Sequence, residues 1–332
     1  MLAYIIRRIL TMIPILIAIS IITFIIIQLP PGDFLTNYVA ELQESGESVD
    51  HSELQALKQR WGLDQPEYMQ YLHWAWNFLH GDFGYSFEWD KPVSELIGAR
   101  LSLTILISVA TLIFTWAVSV PIGIYSAVRQ YSWTDHFLTF VGFIGLATPN
   151  FLFALVLLWF SYAYLGMSVG GLFSPQFQDA SWTLAKVWDL LKHLWIPVII
   201  VGTAHTAKFI RIIRGNLLDE LKKQYVTTAR AKGLPEVHLI LKYPVRVAIN
   251  PLVSTIGWTL PELVSGIAIT AVVLNLPTTG PLLLKALLSQ DMHLAGSFIM
   301  LLSLLTVVGT LLSDILLAWV DPRIRFGARE GV

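Results

Sequence analysis

Three ionisable side chains lie within long apolar runs: His205, Glu262 and Asp314. A charge at the middle of a membrane-crossing helix costs about 2.5–3.5 kcal/mol on insertion scales, so such groups normally face a bundle interior or a water-filled passage. Thr255, Thr259 and Glu262 are spaced i, i+4, i+7 and share one helical face. With Ser265 beside them they form a polar strip. It suits contact with a polar or cationic solute, or equally a hydrogen-bonded helix contact. His205 is placed either to line the same passage or to satisfy a neighbouring helix. Asp314 is expected to pair with a basic residue such as Lys208 or Arg211. Ser265 with His205 is the only pairing that resembles a nucleophile and its base, and the two lie on different runs. No catalytic residue and no metal ligand is assigned. The chain has no cysteine, which excludes thiol catalysis, disulfides and cysteine metal sites. It also lacks a Gly-x-x-x-x-Gly-Lys-Ser/Thr loop, so no cofactor is expected in this chain, and any ATP (with its Mg) must be bound by another.

A second chemistry is carried by charge and shape. Residues 211–246 hold eight Lys/Arg and three Asp/Glu between two apolar stretches, and include "QYVTTARAKGL". Positive charge alone would keep such a loop cytoplasmic. The pattern adds more. Leu217, Leu221 and Tyr225 fall at i, i+4, i+8 on one helical face, with Asp219, Glu220, Lys222 and Lys223 off it. The helical run is expected to continue through Ala229 and Ala231 and to stop at Gly233, a natural left-handed cap. Pro235 then fits the first turn of a second helix. A helix–glycine–helix projection with small residues at its turn suits docking into a cleft of a soluble partner. A membrane-surface amphipathic helix would share the periodicity.

The elements that position these residues follow from hydropathy. Of 332 residues 55% are hydrophobic and 14% charged, and the mean hydropathy is +0.63. Soluble chains carry about a quarter charged residues, so this excess faces something other than water. Twelve Trp and eleven Tyr fit aromatic belts at two membrane interfaces. Six runs are long enough to cross a bilayer: 9–29, 101–128, 137–165, 194–213, 247–274 and 294–320. The first has no cleavage pattern after it and reads as a retained membrane helix, not a signal peptide. Prolines 121, 149, 197 and 261 are expected to kink or break their runs. At "LATPNFLFAL" the expectation is a kink, with Asn150 satisfying loosened backbone groups, or a hinge.

Six spans place both termini on one side. The segments 1–8, 126–136, 211–246 and 321–332 hold fourteen Lys/Arg, against seven in the opposite set, so both termini are expected in the cytoplasm. The organisation expected is an N-terminal helix at 1–29 and an external loop region at 30–100. A five-helix core at 101–320 follows, with the cytoplasmic segment 215–246 inside it, and then a cytoplasmic tail at 321–332. The external region carries twelve Asp/Glu against four Lys/Arg. Its Tyr68, Tyr71, Trp74 and Phe78 recur at helical spacing, as in a helical cap on the outer face.

"QYVTTARAKGL" closely resembles the cytoplasmic coupling segment of ABC-importer permeases of the dipeptide/oligopeptide/nickel type. "RRILTMIPILIAISIITFIIIQLPPGDF", "WGLDQPEYMQYLHWAWNFLHGDFGYSF", "PVSELIGARLSLTILI" and "DILLAWVDPRIRFG" resemble recurring stretches of that family in the same order. The resemblance implies an all-α, polytopic protein of type I ABC importer permease architecture, multi-pass in the cytoplasmic (inner) membrane of a prokaryote. It implies four partners: a second homologous permease, two cytoplasmic ATPases and an external substrate-binding protein. It places ATPase coupling on Tyr225, Thr228, Ala229, Arg230, Ala231, Lys232 and Gly233. Of these, Ala229 and Gly233 match the small residue and glycine of the signature Glu-Ala-Ala-x-x-x-Gly. The signature's Glu position is Thr227 here, and its distal Ile-x-Leu-Pro is Tyr243-Pro-Val-Arg246. In "GIAITAVVLNLPTTGP" Ala271 stands where a Glu is frequent, and Pro277-Thr-Thr-Gly280 where Pro-Gly-x-Gly is. The resemblance thus implies import of di- or oligopeptides, with oligosaccharides as the alternative cargo. A proton- or ion-coupled transporter using Glu262, His205 and Asp314 as a relay is the reading of a different class.

Overall fold

The computed structural model describes residues 2–29, 34–44, 55, 58–59, 62–166, 170–178 and 180–320. Among them the regular structure is helical apart from one small hairpin, in which β1 (Tyr85–Ser86) pairs antiparallel with β2 (Lys91–Pro92). The helices are α1 (Leu2–Gln28), α2 (Phe34–Glu44), α3 (Glu67–Leu79), α4 (Val93–Val128), α5 (Trp133–Ala147), α6 (Asn150–Leu165), α7 (Leu184–Leu221), α8 (Gln224–Ala231), α9 (Glu236–Lys242), α10 (Pro244–Ala248), α11 (Asn250–Val273), α12 (Thr279–Leu288) and α13 (Met292–Val320).

Length and apolarity qualify four described stretches to cross a membrane: Leu10–Gln28, Val93–Val128, Leu184–Leu221 and Met292–Ile315. The chain is all-α and polytopic. The expected span 137–165 is two helices, α5 and α6, bent by 103° across Thr148 and Pro149, and counts as a fifth span only if the pair is taken together. Thr148 (ψ 121°) and Pro149 (ψ 135°) are both extended, so the chain turns sharply where a kink was expected. Pro121, Pro197 and Pro261, by contrast, lie inside uninterrupted helices. Of α11 (24 residues), the apolar stretch found among the described residues, Glu262–Val273, is shorter than a crossing.

The described residues pack as two compact units. The first takes in the described parts of 1–103 and 278–307. Here α3 packs its aromatics on the second half of α1. Tyr71 meets Phe24 edge-on at 5.4 Å and its hydroxyl lies 2.9 Å from Ser20 Oγ, while Trp74 and Phe78 continue the stripe. Tyr68 points outward, off that stripe. The expected cap is thus a helix buried along one side. Trp74 approaches α13 where Gly296 leaves room: a Cβ there would lie 3.1 Å from the indole. The hairpin is tied to α13 through Asp291, which is fully buried and accepts from Ser86 Oγ, Glu88 N and Leu294 N.

The second unit, 104–277 with the residues from 308 on, is built around α7, against which α5, α6, α10 and α11 pack. Close approach depends on small residues: a Cβ on Gly202 would lie 2.6 Å from Phe114, and one on Gly123 2.8 Å from Ile213. Thr183 caps the start of α7 by accepting from Lys186 N, and Ser132 caps α5 by accepting from Asp135 N.

Candidate functional site

The basic segment folds as a helix–turn–helix, with departures from expectation at Lys223, Ala229 and Pro235. Helix α7 ends at Leu221 and α8 restarts at Gln224, because Lys223 is extended (φ −74°, ψ 149°). The continuous stripe Leu217–Leu221–Tyr225 therefore does not form: Leu217 is buried, whereas Tyr225 is turned outward. Glu220 ties the break. Its carboxylate accepts from Tyr225 Oη at 2.6 Å and from Lys223 Nζ at 2.7 Å. Burial and the Glu220 carboxylate push the Tyr225 hydroxyl above its usual range, so it stays a donor.

Helix α8 has two faces. Val226 and Ala229, spaced i, i+3, are buried with Leu217 of α7, Leu239 and Ile240 of α9, and Val245 and Ala248 of α10. Tyr225, Thr228, Arg230, Ala231, Lys232 and Gly233 are exposed. Ala229 was expected as a small residue at the docking surface, but it packs inward, and its size serves the closeness of α8 to its own support. Gly233 has φ +74°, and its N–H donates to Arg230 O at 3.0 Å. A Cβ there would meet nothing within 4 Å, so glycine is required by backbone conformation and not by internal crowding. Pro235 is the residue before α9, not in its first turn as expected. Arg230 spans the turn with two bonds to Glu236, at 3.1 and 2.5 Å, and holds that carboxyl below the usual range. The result is an anchored projection with an apolar inner face and a polar, mostly cationic outer one.

The polar strip of α11 is split by the structure. Thr255 is buried, and its hydroxyl donates to Leu252 O at 2.7 Å, so it is occupied by its own helix. Thr259 is 1% exposed, and its hydroxyl has no hydrogen-bond partner among the described residues. Glu262 is 45% exposed and lies 3.9 Å from Lys208 Nζ of α7, itself 37% exposed. His205, three residues before Lys208, is half-buried on the same helix. The Ser265 side chain lies outside the described ones. Lys208 faces Glu262, and Arg211 lies over the Phe143 ring at 5.8 Å.

Sequence reasoning missed two features. Lys208 was weighed only as a counter-ion for Asp314, although a lysine in an apolar run is itself a signal. Thr104, Ser108, Thr111, Thr115 and Ser119 recur at i, i+4, i+7, i+11 and i+15 on α4, and all are buried. Hydropathy averaging passes over hydroxyls, but their helical period was legible. They form an interior polar seam, in which Thr115 Oγ1 donates to Gly202 O at 3.5 Å. Among the described residues no group of three His, Asp or Glu is arranged to hold a metal ion.

Comparison with known proteins shows the family of the chain. The family model described as binding-protein-dependent transport system inner membrane component matches residues 119–326. That for the N-terminal part of such membrane components matches residues 1–110. The chain is similar to the oligopeptide transport system permease protein AppB of Bacillus subtilis, with 36% identity covering 98% of this chain and 100% of that protein. It is similar to the dipeptide transport system permease protein DppB of Escherichia coli K12, with 32% identity covering 98% and 99%. The probable D,D-dipeptide transport system permease protein DdpB of the same organism is 29% identical, covering 94% of each chain.

Proposed function

The chain belongs to the family of binding-protein-dependent transport system inner membrane components, and on that premise we propose that it is one of two homologous permeases forming a path for di- and oligopeptides. It is a multi-pass inner-membrane protein that works with an ATPase and a substrate-binding protein. ATP hydrolysis belongs to two cytoplasmic partner chains, and this chain transmits their motion. The relatives' names favour peptide over oligosaccharide cargo.

The observation that carries the coupling role is the build of α8. Val226 and Ala229 fix it to α7, α9 and α10, while its outer face offers Tyr225, Thr228, Arg230, Lys232 and the Gly233 turn to another molecule. A docking element must be anchored to its own protein and polar toward its partner, and the buried Val226 and Ala229 with the polar exposed face of α8 support that reading. In the proposed cycle, closure of the ATPases moves α8 with α7, and α7 carries Lys208 and His205 beside Glu262 of α11. Those three, with Thr259, are the path residues proposed. The spans 9–29, 101–128, 137–165, 194–213, 247–274 and 294–320 are assigned to the membrane, with 30–100 external and 215–246 and both termini cytoplasmic.

The absence of cysteine allows a clean test. In the assembled transporter, Thr228→Cys or Lys232→Cys is expected to cross-link to a single cysteine in the ATPase. The same cysteine at Tyr85, in the external region, is expected not to. Cross-linking from Tyr85 and not from Thr228 or Lys232 would overturn the assignment.

A further inference from the structure

A groove of about 340 Å³ runs between α5 and α7, and neither the coupling role nor the peptide path uses it. Its walls are Leu138, Gly142 and Phe143 from α5, and Ala207, Ile210 and Arg211 from α7, with Arg214 at one end. Small residues line it: a Cβ on Gly142 would lie 3.6 Å from that of Ala207, in ordinary van der Waals contact. The lining is apolar except for Thr139 of α5 and the two arginines of α7.

The arginines differ. The Arg214 Nη2 atom donates to Asp135 Oδ2 at 3.0 Å, and Asp135 is buried and also accepts from Tyr131 N, so this pair is neutral and fixed. Arg211 is exposed and has no carboxylate within ion-pair distance among the described residues. Its guanidinium lies 5.8 Å from the Phe143 ring centroid, a cation–π arrangement that holds it over the groove. The groove therefore presents one uncompensated positive charge at one end and hydrocarbon at the other.

Direction along the helices supplies the second constraint. Arg211 and Arg214 are nearer the basic end of α7, the end leading to α8, while Ala207 lies one turn further from it. Helix α5 starts beside the basic 129–132 turn, so Leu138 is nearer that side and Phe143 deeper. The α7 wall thus runs from charged at Arg211 and Arg214 to apolar at Ala207, while the α5 wall beside it carries no charge from Leu138 to Phe143. A solute that is anionic at one end and apolar beyond it, with its charged end at the cytoplasmic interface, matches this polarity. Guanidinium groups suit phosphate oxygens by geometry as well as charge. Phe137, Phe140 and Ile144 of α5 are also exposed, which continues the apolar surface outward.

We propose that the α5–α7 groove is a binding site for one anionic phospholipid of the inner leaflet, with Arg211 on its phosphate and its acyl chains along Phe143, Gly142 and Ala207. Occupancy braces α5 against α7, the helix from which the coupling segment extends. Only the choice of leaflet rests on the topology proposed above.

The test uses the whole transporter complex, purified in detergent with lipids removed, and native mass spectrometry with added phosphatidylglycerol or phosphatidylcholine. Wild type is expected to retain phosphatidylglycerol in preference, and Arg211→Ala to lower that retention about fivefold, the effect of one interfacial positive charge. Arg211→Lys is expected to keep the charge preference in part. Arg214 is left unchanged because it anchors Asp135. Equal retention of both lipids by wild type, or retention unchanged in Arg211→Ala, would overturn the proposal. So would retention matched by inorganic phosphate alone. Loss of the second permease from Arg211→Ala with lipid retention unaltered would reassign the groove as a subunit interface. Peptide uptake is read separately, so failure of the lipid site leaves the transport reading untouched.

Discussion

Gly233 illustrates how one backbone angle shapes an exposed turn. At φ +74° a side chain is strained by about 1–2 kcal/mol, yet nothing in the chain occupies the space a Cβ would take. Gly233→Val is therefore expected to insert and fold but to lose most ATP-driven uptake, because the turn is distorted and the added bulk meets the partner. Uptake at the wild-type rate, with normal membrane levels, would remove Gly233 from the interface. Arg230 and Glu236 bracket the same turn. Arg230 holds the Glu236 pKa below its usual value, so the pair's stabilisation is present above the ordinary carboxylate range. It is lost as pH falls through the lowered value. The protection factor of amides 225–233, exchange corrected for its intrinsic slowing in acid, is expected to fall by a small amount on acidification in the wild type because the pair is exposed, and to show no such step in Glu236→Gln. Lys208 and Glu262 make the third residue-scale prediction. Either charge removed singly, in Lys208→Met or Glu262→Gln, is expected to reduce uptake more than the double charge swap does. Purely structural pairing predicts parallel losses of assembly on size exclusion instead.

At the scale of elements, α8 is expected to depend on what lies beneath it. Leu239→Ala should cost about 2–5 kcal/mol locally and uncouple ATP hydrolysis from uptake while leaving the complex assembled. Retained coupling would show that α8 docks without its apolar support. Much of this arrangement was legible in the sequence. The Gly233 stop, the aromatic stripe of α3 and the long apolar helices follow from residue type and period. The break before α8 was not, because it depends on Glu220 gathering Lys223 and Tyr225, a tertiary choice that a hydrophobic stripe does not encode. Nor was the fate of the prolines. Pro149 turns the chain because Thr148 before it is extended, whereas Pro121, which is exposed, and Pro197, which is buried, are both absorbed in continuous helices. Glu262 was identified as polar and intramembrane, but its partner Lys208 required the approach of α11 to α7.

For the whole molecule, the account rests on a division of labour. Under the proposed function the chain supplies helices, a path and a docking projection, and its partners supply ATP and cargo. Charge placement supports the topology, and the family match covers both the N-terminal and the core regions. The competing reading, a carrier driven by protons through His205, Glu262 and Asp314, makes opposite demands on energy supply. The most direct test is uptake of a labelled dipeptide into proteoliposomes holding this chain, its second permease and the two ATPases, with the binding protein outside the lumen that receives cargo. Uptake is expected to require ATP on the ATPase side and the binding protein on the other, and to survive a protonophore. Uptake by this chain alone, driven by a proton gradient and abolished by the protonophore, would contradict the account.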